Sequence, residues 1–394
     1  MKLRVPDYYS EFSCIADKCK DSCCIGWEID IDEDTHEYYN FVEGEFGDRL
    51  RENMYMTEDG DHSFKLKKHG RCPFLNSKNL CDICIELGEE ALSEVCTEYP
   101  RFAIEYEDVL QKCLSLSCEE VGRILFTREE PVKFVEMELS DCEMNEDMQT
   151  DPNNGEDVVF ECEYETEIRS DEYYDSEYEY AVSPKFMEEV QENLIDILQD
   201  RNVSIWKRII NYLKFAELIQ DTINTESEPQ SMEYYRQKVT EAESELSDYS
   251  SKKIFAGFSS IFSIFEDMET LDIEWDNAKK EMLQVFQNNE YGDVLQDFLQ
   301  SKDMLEKDYE HLMVYFTFRY MMNAVYDSNV ISYAKLAIVF TLMIRDMDAV
   351  RFHLNGGSFS IHDRIDVARI FSKEVEHSQE NVEHAREELM FANF

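Results

Sequence analysis

The chain of 394 residues carries 38 Lys and Arg against 87 Asp and Glu, a formal net charge of −49. This charge argues against a nucleic-acid partner, because binding to phosphates needs a basic surface. The N-terminal stretch MKLRVPDYYSEF lacks the apolar segment of a signal peptide, and no apolar run is long enough to span a bilayer, so we expect a cytoplasmic protein with no membrane partner and with reduced thiols.

Ten of the twelve cysteines lie within the first 118 residues, and the densest group is Cys14, Cys19, Cys23 and Cys24. Thiols at this density indicate either metal ligands or a disulfide knot. A chain of this length does not need disulfides to build a core, so metal is favoured. Zinc ribbons typically carry paired C-x2-C knuckles, and here only Cys81 and Cys84 have that spacing. The pattern therefore leaves an iron-sulfur cluster and a zinc site both open.

The cysteine-rich unit is predicted to cover residues 1–135. Glycines interrupt it and its apolar periodicity is weak, so metal coordination is expected to fix much of its fold. Apolar residues at helical spacing predict a helix over residues 85–97 and a second over residues 118–125. Alternating apolar and charged residues predict a short strand over residues 132–139.

Residues 136–182 form an acidic, tyrosine-rich insert. Between Glu136 and Glu179 there are eighteen Asp and Glu residues and one Arg. Charges of one sign repel one another, and few aliphatic side chains are available for burial, so we expect a disordered linker. The alternative is an acidic arm that docks on a basic partner.

Residues 183–394 contain few glycines and show a period of 3.6 residues, which predicts an all-α helical bundle. Ser183 followed by Pro184 is typical of a helix start, and a second helix is predicted from Ile205. Further helices are predicted over about 232–248, 251–268, 276–300, 304–326, 330–352 and 360–391. The predicted fold class is therefore mainly α, with a cysteine-rich, metal-binding N-terminal unit docked on an all-α helical bundle.

Several motifs follow one another in a specific order. They are Tyr9-x2-Phe12-x-Cys14-x4-Cys19-x3-Cys23-Cys24-x-Gly26-Trp27, Cys72-Pro73-Phe74-Leu75, Leu80-Cys81, Cys96-x2-Tyr99-Pro100-Arg101, Leu116-Ser117-Cys118, Tyr315-Phe316-x-Phe318-Arg319-Tyr320 and Phe371-Ser372-Lys373-Glu374-Val375-Glu376-His377. This order resembles the flagellin lysine-N-methylase (FliB) family. Its N-terminal part is also similar to a broader family of zinc- or iron-chelating cysteine clusters.

The resemblance implies transfer of methyl groups from S-adenosylmethionine to lysine side chains of flagellin, with an iron-sulfur cluster of the 4Fe-4S type held by cysteines. Zinc is the alternative metal. Carried over by position, the metal-binding cysteines are Cys14, Cys19, Cys23, Cys24, Cys72, Cys81, Cys96 and Cys118. Cys84, Cys113, Cys142 and Cys162 depart from the family pattern. We expect the first four metal-binding cysteines to meet the other four in space, although one four-thiolate site cannot use all eight.

Four residues of the C-terminal motifs are candidates for cofactor binding: Arg319, Tyr320, Glu376 and His377. An Arg within an apolar helix needs an anion, which is either Glu376 or Glu380 or a carboxylate such as that of the cofactor. His377, Asn381 and His384 are expected to share one face of the last predicted helix. Glu376 and His377 then either pack that helix against the cysteine unit through structural hydrogen bonds or bind the cofactor or the substrate lysine.

The chain contains no G-x-G sequence, which excludes the glycine-rich turn of Rossmann-type cofactor sites. The predicted function is a protein lysine N-methyltransferase that uses S-adenosylmethionine and an iron-sulfur cluster and acts on flagellin, with the catalytic residues unassigned. One alternative is a noncatalytic iron-sulfur or zinc-binding protein, such as a metal carrier or a redox sensor. Another is an interaction module in which the metal is purely structural.

Overall fold

The computed structural model describes residues 1–57, 59–139, 180–246, 258–266, 268–288 and 291–391. The predicted disordered insert falls mainly on residues 140–179, which lie outside the described residues. Both of its ends are described. Residues 136–138 belong to a strand, and the backbone N–H groups of Ala181 and Val182 donate to the carbonyl of Val325.

The N-terminal region is a mixed α/β structure with two sheets. Its strands are β1 (Lys2–Pro6), β2 (Asp30–Ile31), β3 (Met54–Met56), β4 (His62–Phe64), β5 (Arg101–Tyr106), β6 (Val109–Leu114) and β7 (Phe134–Glu138). The first sheet has the order β5-β6-β1-β7, with β1 parallel to β6 and antiparallel to β7, and the second has the order β2-β4-β3. The strand predicted over residues 132–139 is confirmed as β7. The other strands were not predicted, because each is short and is paired with a segment distant in the sequence.

The helices of this region are α1 (Glu33–Phe41), α2 (Gly44–Asn53), α3 (Asp82–Leu87), α4 (Glu94–Glu98) and α5 (Glu119–Thr127). The helix predicted over residues 118–125 is confirmed as α5. The continuous helix predicted over residues 85–97 is wrong. Gly88 has a φ of 98°, in the left-handed region that ends a helix, and a 3-10 turn at Glu89–Ala91 separates α3 from α4.

The second sheet has a small apolar core of its own. The core is built from residues of strands, helices and loops, namely Ile29, Ile31, Tyr39, Leu50, Met54, Phe64, Cys72, Phe74, Leu75, Ile83 and Ala91. The expectation that metal coordination would largely replace an apolar core is therefore too strong for this part of the chain.

The C-terminal region is helical. Its helices are α6 (Pro184–Gln199), α7 (Ile205–Asn224), α8 (Met232–Leu246), α9 (Phe258–Glu266), α10 (Ile273–Asn288), α11 (Tyr291–Leu299), α12 (Glu306–Tyr320), α13 (Ala324–Asp327), α14 (Val330–Leu354), α15 (Ile361–Val375) and α16 (Gln379–Phe391). Pro184 occupies the first turn of α6, as predicted. The predicted helices over 276–300, 304–326 and 360–391 are each divided in two. In the last case Ser378 starts a new helix, because its hydroxyl accepts the N–H of Asn381.

Helix α14 lies at the centre of the bundle, in contact with α7, α11, α12, α15 and α16. Its sequence is apolar nearly all round, which is what a helix covered on every side requires. None of the described helices is long and apolar enough to cross a membrane.

The four-stranded sheet and α5 share one core with the bundle. Helix α5 packs on α15, and a Cβ at Gly122 would lie 3.1 Å from the side chain of Ile365. Even an alanine at position 122 would require the side chain of Ile365 to move by a few tenths of an ångström. The N-terminal region is thus integrated with the bundle through the first sheet, while the second sheet carries a separate core.

Candidate metal centre and adjoining polar cluster

Backbone pairing brings the two halves of the cysteine pattern together. The N–H of Cys72 donates to the carbonyl of Cys24 over 2.8 Å. An antiparallel bridge then joins Leu75 to Cys81. Three cysteines from distant parts of the sequence therefore lie in neighbouring loops, against the small core of the second sheet.

The first set of thiols, which we call the inner group, comprises Cys24, Cys72, Cys81 and Cys96. Burial raises the pKa of Cys72 to about 12, and the charges of the other three thiols add to the rise. Burial likewise raises the pKa of Cys96 to about 12, with contributions from Cys24 and Cys81. The four thiols are therefore close enough to act on one another electrostatically.

The second set, the outer group, comprises Cys14, Cys19 and Cys118. Burial raises the pKa of Cys19 to about 12, and Cys118, Glu119 and Cys14 add to the rise. Cys23 links the two groups. Its pKa is raised first by a hydrogen bond with the Cys24 thiol and by burial, and then by both Cys96 and Cys14. The structure thus brings all eight predicted metal-binding cysteines into one region.

Three of these sulfur atoms accept backbone N–H groups. Cys81 directly precedes α3 and accepts from Ile83 and Cys84, while Cys118 directly precedes α5 and accepts from Glu120 and Val121. The sulfur of Cys72 accepts from Phe74. A hydrogen bond from the Cys84 thiol, joined by the backbone donors, lowers the pKa of Cys81 to about 6, so this thiol is mostly a thiolate at neutral pH.

The chemistry of this donor set fits an iron-sulfur cluster. The ten cysteines of the described residues are free thiols. Soft thiolates supported by N–H donors are the usual ligands of such clusters. Within the same residues, no three His, Cys, Asp or Glu side chains are arranged around one point as ligands of a single metal ion. In a 4Fe-4S cluster each thiolate binds a different iron, so its ligands are more widely spaced than those of one ion. The identity of the metal and of its four ligands stays a prediction.

Two cysteines outside the family pattern have different surroundings. The Cys84 thiol hydrogen-bonds to Cys81 and therefore lies next to the inner group. In the sequence, only the C-x2-C spacing of Cys81 and Cys84 indicated this position. Cys113 is buried elsewhere. Burial raises its pKa to about 11, and its charged neighbours are Arg319 and Glu376. Cys142 and Cys162 lie outside the described residues.

Ion pairs hold the loop that contains Cys14 and Cys19 against helix α15. Lys20 Nζ lies 2.9 Å from Asp366 Oδ1. Asp21 Oδ2 lies 2.6 Å from Arg369 Nη1 and 2.8 Å from Lys373 Nζ. The side chains of Arg369 and Lys373 are only 2% and 3% exposed, so these pairs are largely shielded from solvent. Movement of the thiol loop would therefore leave two buried cations without this carboxylate.

Glu376 is the centre of a buried polar cluster. Its carboxylate lies 2.9 Å from Arg319 Nε and accepts hydroxyl hydrogen bonds from Ser372 at 2.6 Å, Tyr315 at 2.9 Å and Tyr320 at 3.2 Å. Burial raises the pKa of Glu376, and the Arg319 guanidinium is the largest opposing influence. Three of the four predicted cofactor-binding residues are thus in mutual contact, and the chain itself supplies the anion that Arg319 needs.

His377, the fourth of these residues, lies between this cluster and the thiols. Its Nε2 is 2.8 Å from Ser117 Oγ and 3.1 Å from Ser115 Oγ. Its ring stacks on Trp27 with centroids 4.9 Å apart, and the rings of Tyr99 and Phe102 are also in contact with it. His377 therefore connects the helical bundle to the segments that carry the cysteines.

The prediction that His377, Asn381 and His384 share one helix face is wrong. Helix α15 ends at Val375 and α16 begins at Gln379, so His377 lies in the turn between the two helices. The side chain of Asn381 instead donates to the carbonyls of Glu269 and Glu374. The prediction assumed one continuous helix, but the turn between α15 and α16, where Ser378 accepts the N–H of Asn381, interrupts the helical periodicity.

The burial of His377 predicts a pH dependence of stability. Burial, followed by the charges of Arg319 and Lys373, lowers the pKa of His377 to about 3 from 6.5. The unfolded chain takes up the proton first, so this contribution is complete above pH 6.5 and is lost as the pH falls toward 3. Between pH 7.5 and pH 5 we expect a loss of about 2 kcal/mol in the free energy of unfolding from this residue.

Urea unfolding at both pH values gives the change in the free energy of unfolding with pH for the wild type and for the His377→Gln variant. The difference between these two changes is the contribution of His377. His362, an exposed residue of α15, provides the matched control as His362→Gln. Equal pH dependences in the wild type and in His377→Gln would contradict the buried, neutral state of His377.

The sequence interpretation missed several residues of this region. Trp27 is half-buried, its ring stacks on His377, and the ammonium of Lys373 lies 5.3 Å from the ring centroid. Tyr315 and Ser372 belong to the quoted motifs, yet only the fold shows that both contact Glu376. Ser372 and Glu376 are four residues apart, and this helical spacing could have indicated from the sequence that their side chains are in contact.

Comparison with known proteins gives a consistent family assignment. Residues 191–394, just over half of the chain, match the FliB lysine N-methylase C-terminal domain. Lysine-N-methylases of Salmonella typhimurium and Salmonella choleraesuis are each 33% identical over 134 residues, covering 30% of this chain and 31% of each relative. The chain thus spans about a third of the length of these two relatives. The flagellar biosynthetic protein FliU of Salmonella muenchen is 32% identical over 126 residues, covering 30% of this chain and 75% of FliU. No solved structure matches the chain. The chain belongs to the FliB lysine N-methylase family.

Proposed function

We propose that this protein transfers methyl groups from S-adenosylmethionine to lysine side chains of flagellin and that its cysteines hold an iron-sulfur cluster. Membership of the FliB lysine N-methylase family supports the enzyme class. The names of two relatives, lysine-N-methylase and flagellar biosynthetic protein, support the reaction and the substrate. The observation that carries the proposal is the position of His377 and Glu376, which form a buried polar centre directly beside the thiol region.

Tyr99 is the physical link between the two parts. The charges of Cys118 and Cys23 both act on its phenol, and its hydroxyl lies 3.1 Å from Ser117 Oγ. Its ring also contacts His377 and Trp27. A ligand at the thiol region would therefore be separated from His377 by one layer of side chains.

The cysteines of the inner and outer groups would hold the cluster, with Cys81 and Cys118 preceding helices that supply N–H donors to sulfur. An iron-sulfur cluster supplies one-electron chemistry and cross-links the loops that bind it. The ion pairs of Asp21 keep these loops against α15, which leads directly into the turn carrying Glu376 and His377. These ion pairs would hold the proposed cysteine ligands and the polar centre at a fixed separation.

The polar centre has the properties that methyl transfer to an amine requires. A lysine ammonium has no lone pair, so the amine must lose a proton before its nitrogen can attack the methyl carbon of the donor. His377, which burial keeps neutral, offers a ring nitrogen with a free lone pair, and Glu376 offers a buried carboxylate. The Trp27, Tyr99 and Phe102 rings around His377 favour cations, and both the lysine ammonium and the methyl donor's sulfonium are cationic.

The test is incubation of the anaerobically purified protein with labelled S-adenosylmethionine and flagellin. We expect label in flagellin lysines with the wild type and a loss of about 100-fold or more in rate with Glu376→Gln, the scale on which acid–base groups act. Glu380→Gln, at an exposed position of the next turn, is the matched control and should retain the rate of the wild type.

Iron and sulfide analysis together with absorbance spectra of the same preparation distinguishes an iron-sulfur cluster from zinc. An intact cluster without label transfer would contradict the enzymatic proposal and would favour a noncatalytic metal carrier or redox sensor. Zinc in place of iron would contradict the cofactor assignment alone.

A further inference from the structure

A continuous line of hydrogen bonds runs from His377 to Glu376 through two serines. His377 Nε2 lies 3.1 Å from Ser115 Oγ, and Ser115 Oγ lies 3.3 Å from Ser372 Oγ. Ser372 Oγ donates to Glu376 Oε1 over 2.6 Å. The two residues are neighbours in the chain, but their side chains are joined through a loop of the N-terminal region.

The link from Ser372 to Glu376 has a fixed donor, whereas the contacts of Ser115 with Ser372 and with His377 accommodate either direction. The arrangement that joins the whole line has Ser372 Oγ accepting from Ser115. In this arrangement Ser115 Oγ accepts from His377 Nε2–H and from the backbone N–H of Ser117, which lies at 3.1 Å. His377 is then left with Nδ1 as its acceptor, and each link passes a proton from His377 toward Glu376.

Bulk water has little access to the line. Ser115 and Ser372 are 0% exposed, and the carboxylate of Glu376 is enclosed by Arg319, Tyr315 and Tyr320. A second hydroxyl, that of Ser117, lies 2.8 Å from both His377 Nε2 and Ser115 Oγ and offers a parallel first step.

We propose that His377, Ser115, Ser372 and Glu376 form a proton relay that removes the proton from the substrate amine. The proposal rests on the proposed lysine methylation. The ammonium gives one proton to His377 Nδ1, while Nε2–H passes to Ser115, the Ser115 proton to Ser372, and the Ser372 proton to Glu376. The freed nitrogen pair forms the N–C bond to the methyl carbon of the sulfonium donor, and the C–S bond breaks with its electrons on sulfur. One proton is released for each methyl group transferred.

The surroundings act differently on the two ends of the relay. Arg319 of α12 faces Glu376 together with the phenols of Tyr315 and Tyr320 and the thiol of Cys113 on β6. Burial raises the pKa of Glu376 although Arg319 opposes the rise, whereas burial and the charges of Arg319 and Lys373 all lower the pKa of His377. The surroundings therefore disfavour a proton on His377 and, on balance, favour one on Glu376.

Ser372→Ala, which removes the central hydroxyl without adding bulk, tests the relay by kinetics. We expect kcat to fall by about 100-fold at neutral pH. The KM for S-adenosylmethionine and the iron content should remain unchanged. The loss should become smaller as the pH rises toward the pKa of lysine, about 10.4, because the amine then deprotonates without help. Ser372→Thr, which keeps a hydroxyl, should recover part of the rate.

Ser378→Ala is the matched control. Ser378 is a buried serine in the turn between α15 and α16, and its hydroxyl accepts the backbone N–H of Asn381 and takes no part in the line. A loss in Ser372→Ala that is independent of pH, or equal to that of Ser378→Ala, would overturn the relay and leave a structural role.

A measurement without substrate separates the relay from the proposed function. Nitrogen NMR of histidine-labelled protein, with His377→Gln used to assign the signal, reports which ring nitrogen carries the proton. The relay predicts a neutral ring protonated at Nε2. A ring protonated at Nδ1 would overturn the relay whether or not methyl transfer is found, whereas the predicted state with no methyl transfer would contradict only the proposed function.

Discussion

Cys81→Ala is expected to reduce the iron bound per chain to background and to unfold the loops of the inner group. Cys81 is the inner thiol whose pKa is lowered to about 6, and its sulfur accepts two backbone N–H groups at the start of α3. It is also joined by backbone pairing to the loop of Cys72. Because metal binding contributes directly to the folding free energy of such regions, loss of iron and loss of structure should occur together. Iron analysis and thermal unfolding of anaerobically purified protein measure both effects.

Cys113→Ala is the control for this variant. Cys113 is a buried thiol as well, but its charged neighbours are Arg319 and Glu376 rather than the other cysteines. It should keep the full iron content and lose only the stability that a small cavity costs, about 1 kcal/mol. Equal iron contents in the two variants would contradict the prediction that Cys81 is a metal ligand.

The second large effect is expected for Arg319→Met, which leaves the buried carboxylate of Glu376 without its cation. We expect the free energy of unfolding to fall by about 3–5 kcal/mol, the usual cost of breaking a buried ion pair from one side. The double variant Arg319→Met/Glu376→Leu removes both charges and should recover a substantial part of that loss, because no buried charge is then left unpaired. Urea unfolding of the two single variants and the double variant gives the coupling energy.

Arg236→Met provides the comparison with an exposed ion pair. Arg236 pairs with Asp196 over 2.7 Å, and the two side chains are 38% and 64% exposed. Its replacement should cost no more than about 1 kcal/mol. If Arg319→Met and Arg236→Met were equally stable, or if the double variant were as unstable as the sum of the single variants, Glu376 would not depend on Arg319 in the way that the geometry indicates.

The helical region was the more predictable half of the fold. Apolar periodicity located nearly all of its helices, including α14, whose continuous apolar sequence fits its central position. The breaks were not predictable from periodicity. The break after Val375 depends on the hydroxyl of Ser378, and the break after Asn288 falls between two segments with similar patterns.

The two sheets were largely unpredictable for a physical reason. β2 has two residues, and β3 and β4 have three each, too few to show alternation. β1 pairs with β6 across more than a hundred residues of sequence, so its stability comes from a partner that local patterns do not reveal. Cysteine spacing located the thiol region, but it could not divide that region into inner and outer groups.

The candidate site was predicted in its named residues but not in its connections. Motifs pointed to Arg319, Tyr320, Glu376 and His377, and the structure places all four in one region. The parts supplied by other elements were missed, above all Ser115 and Trp27. A serine in a loop carries no local signal that it will meet a histidine from the far end of the chain.

We propose that this protein methylates flagellin lysines through a polar centre that lies beside a thiol region that binds metal. The most direct test is co-expression of the chain with flagellin, followed by peptide mass spectrometry of the flagellin. We predict methylated lysines with the wild-type chain and unmodified flagellin with Cys81→Ala and with Glu376→Gln. Unmodified flagellin in the presence of a soluble wild-type chain that carries its full iron content would contradict the claim.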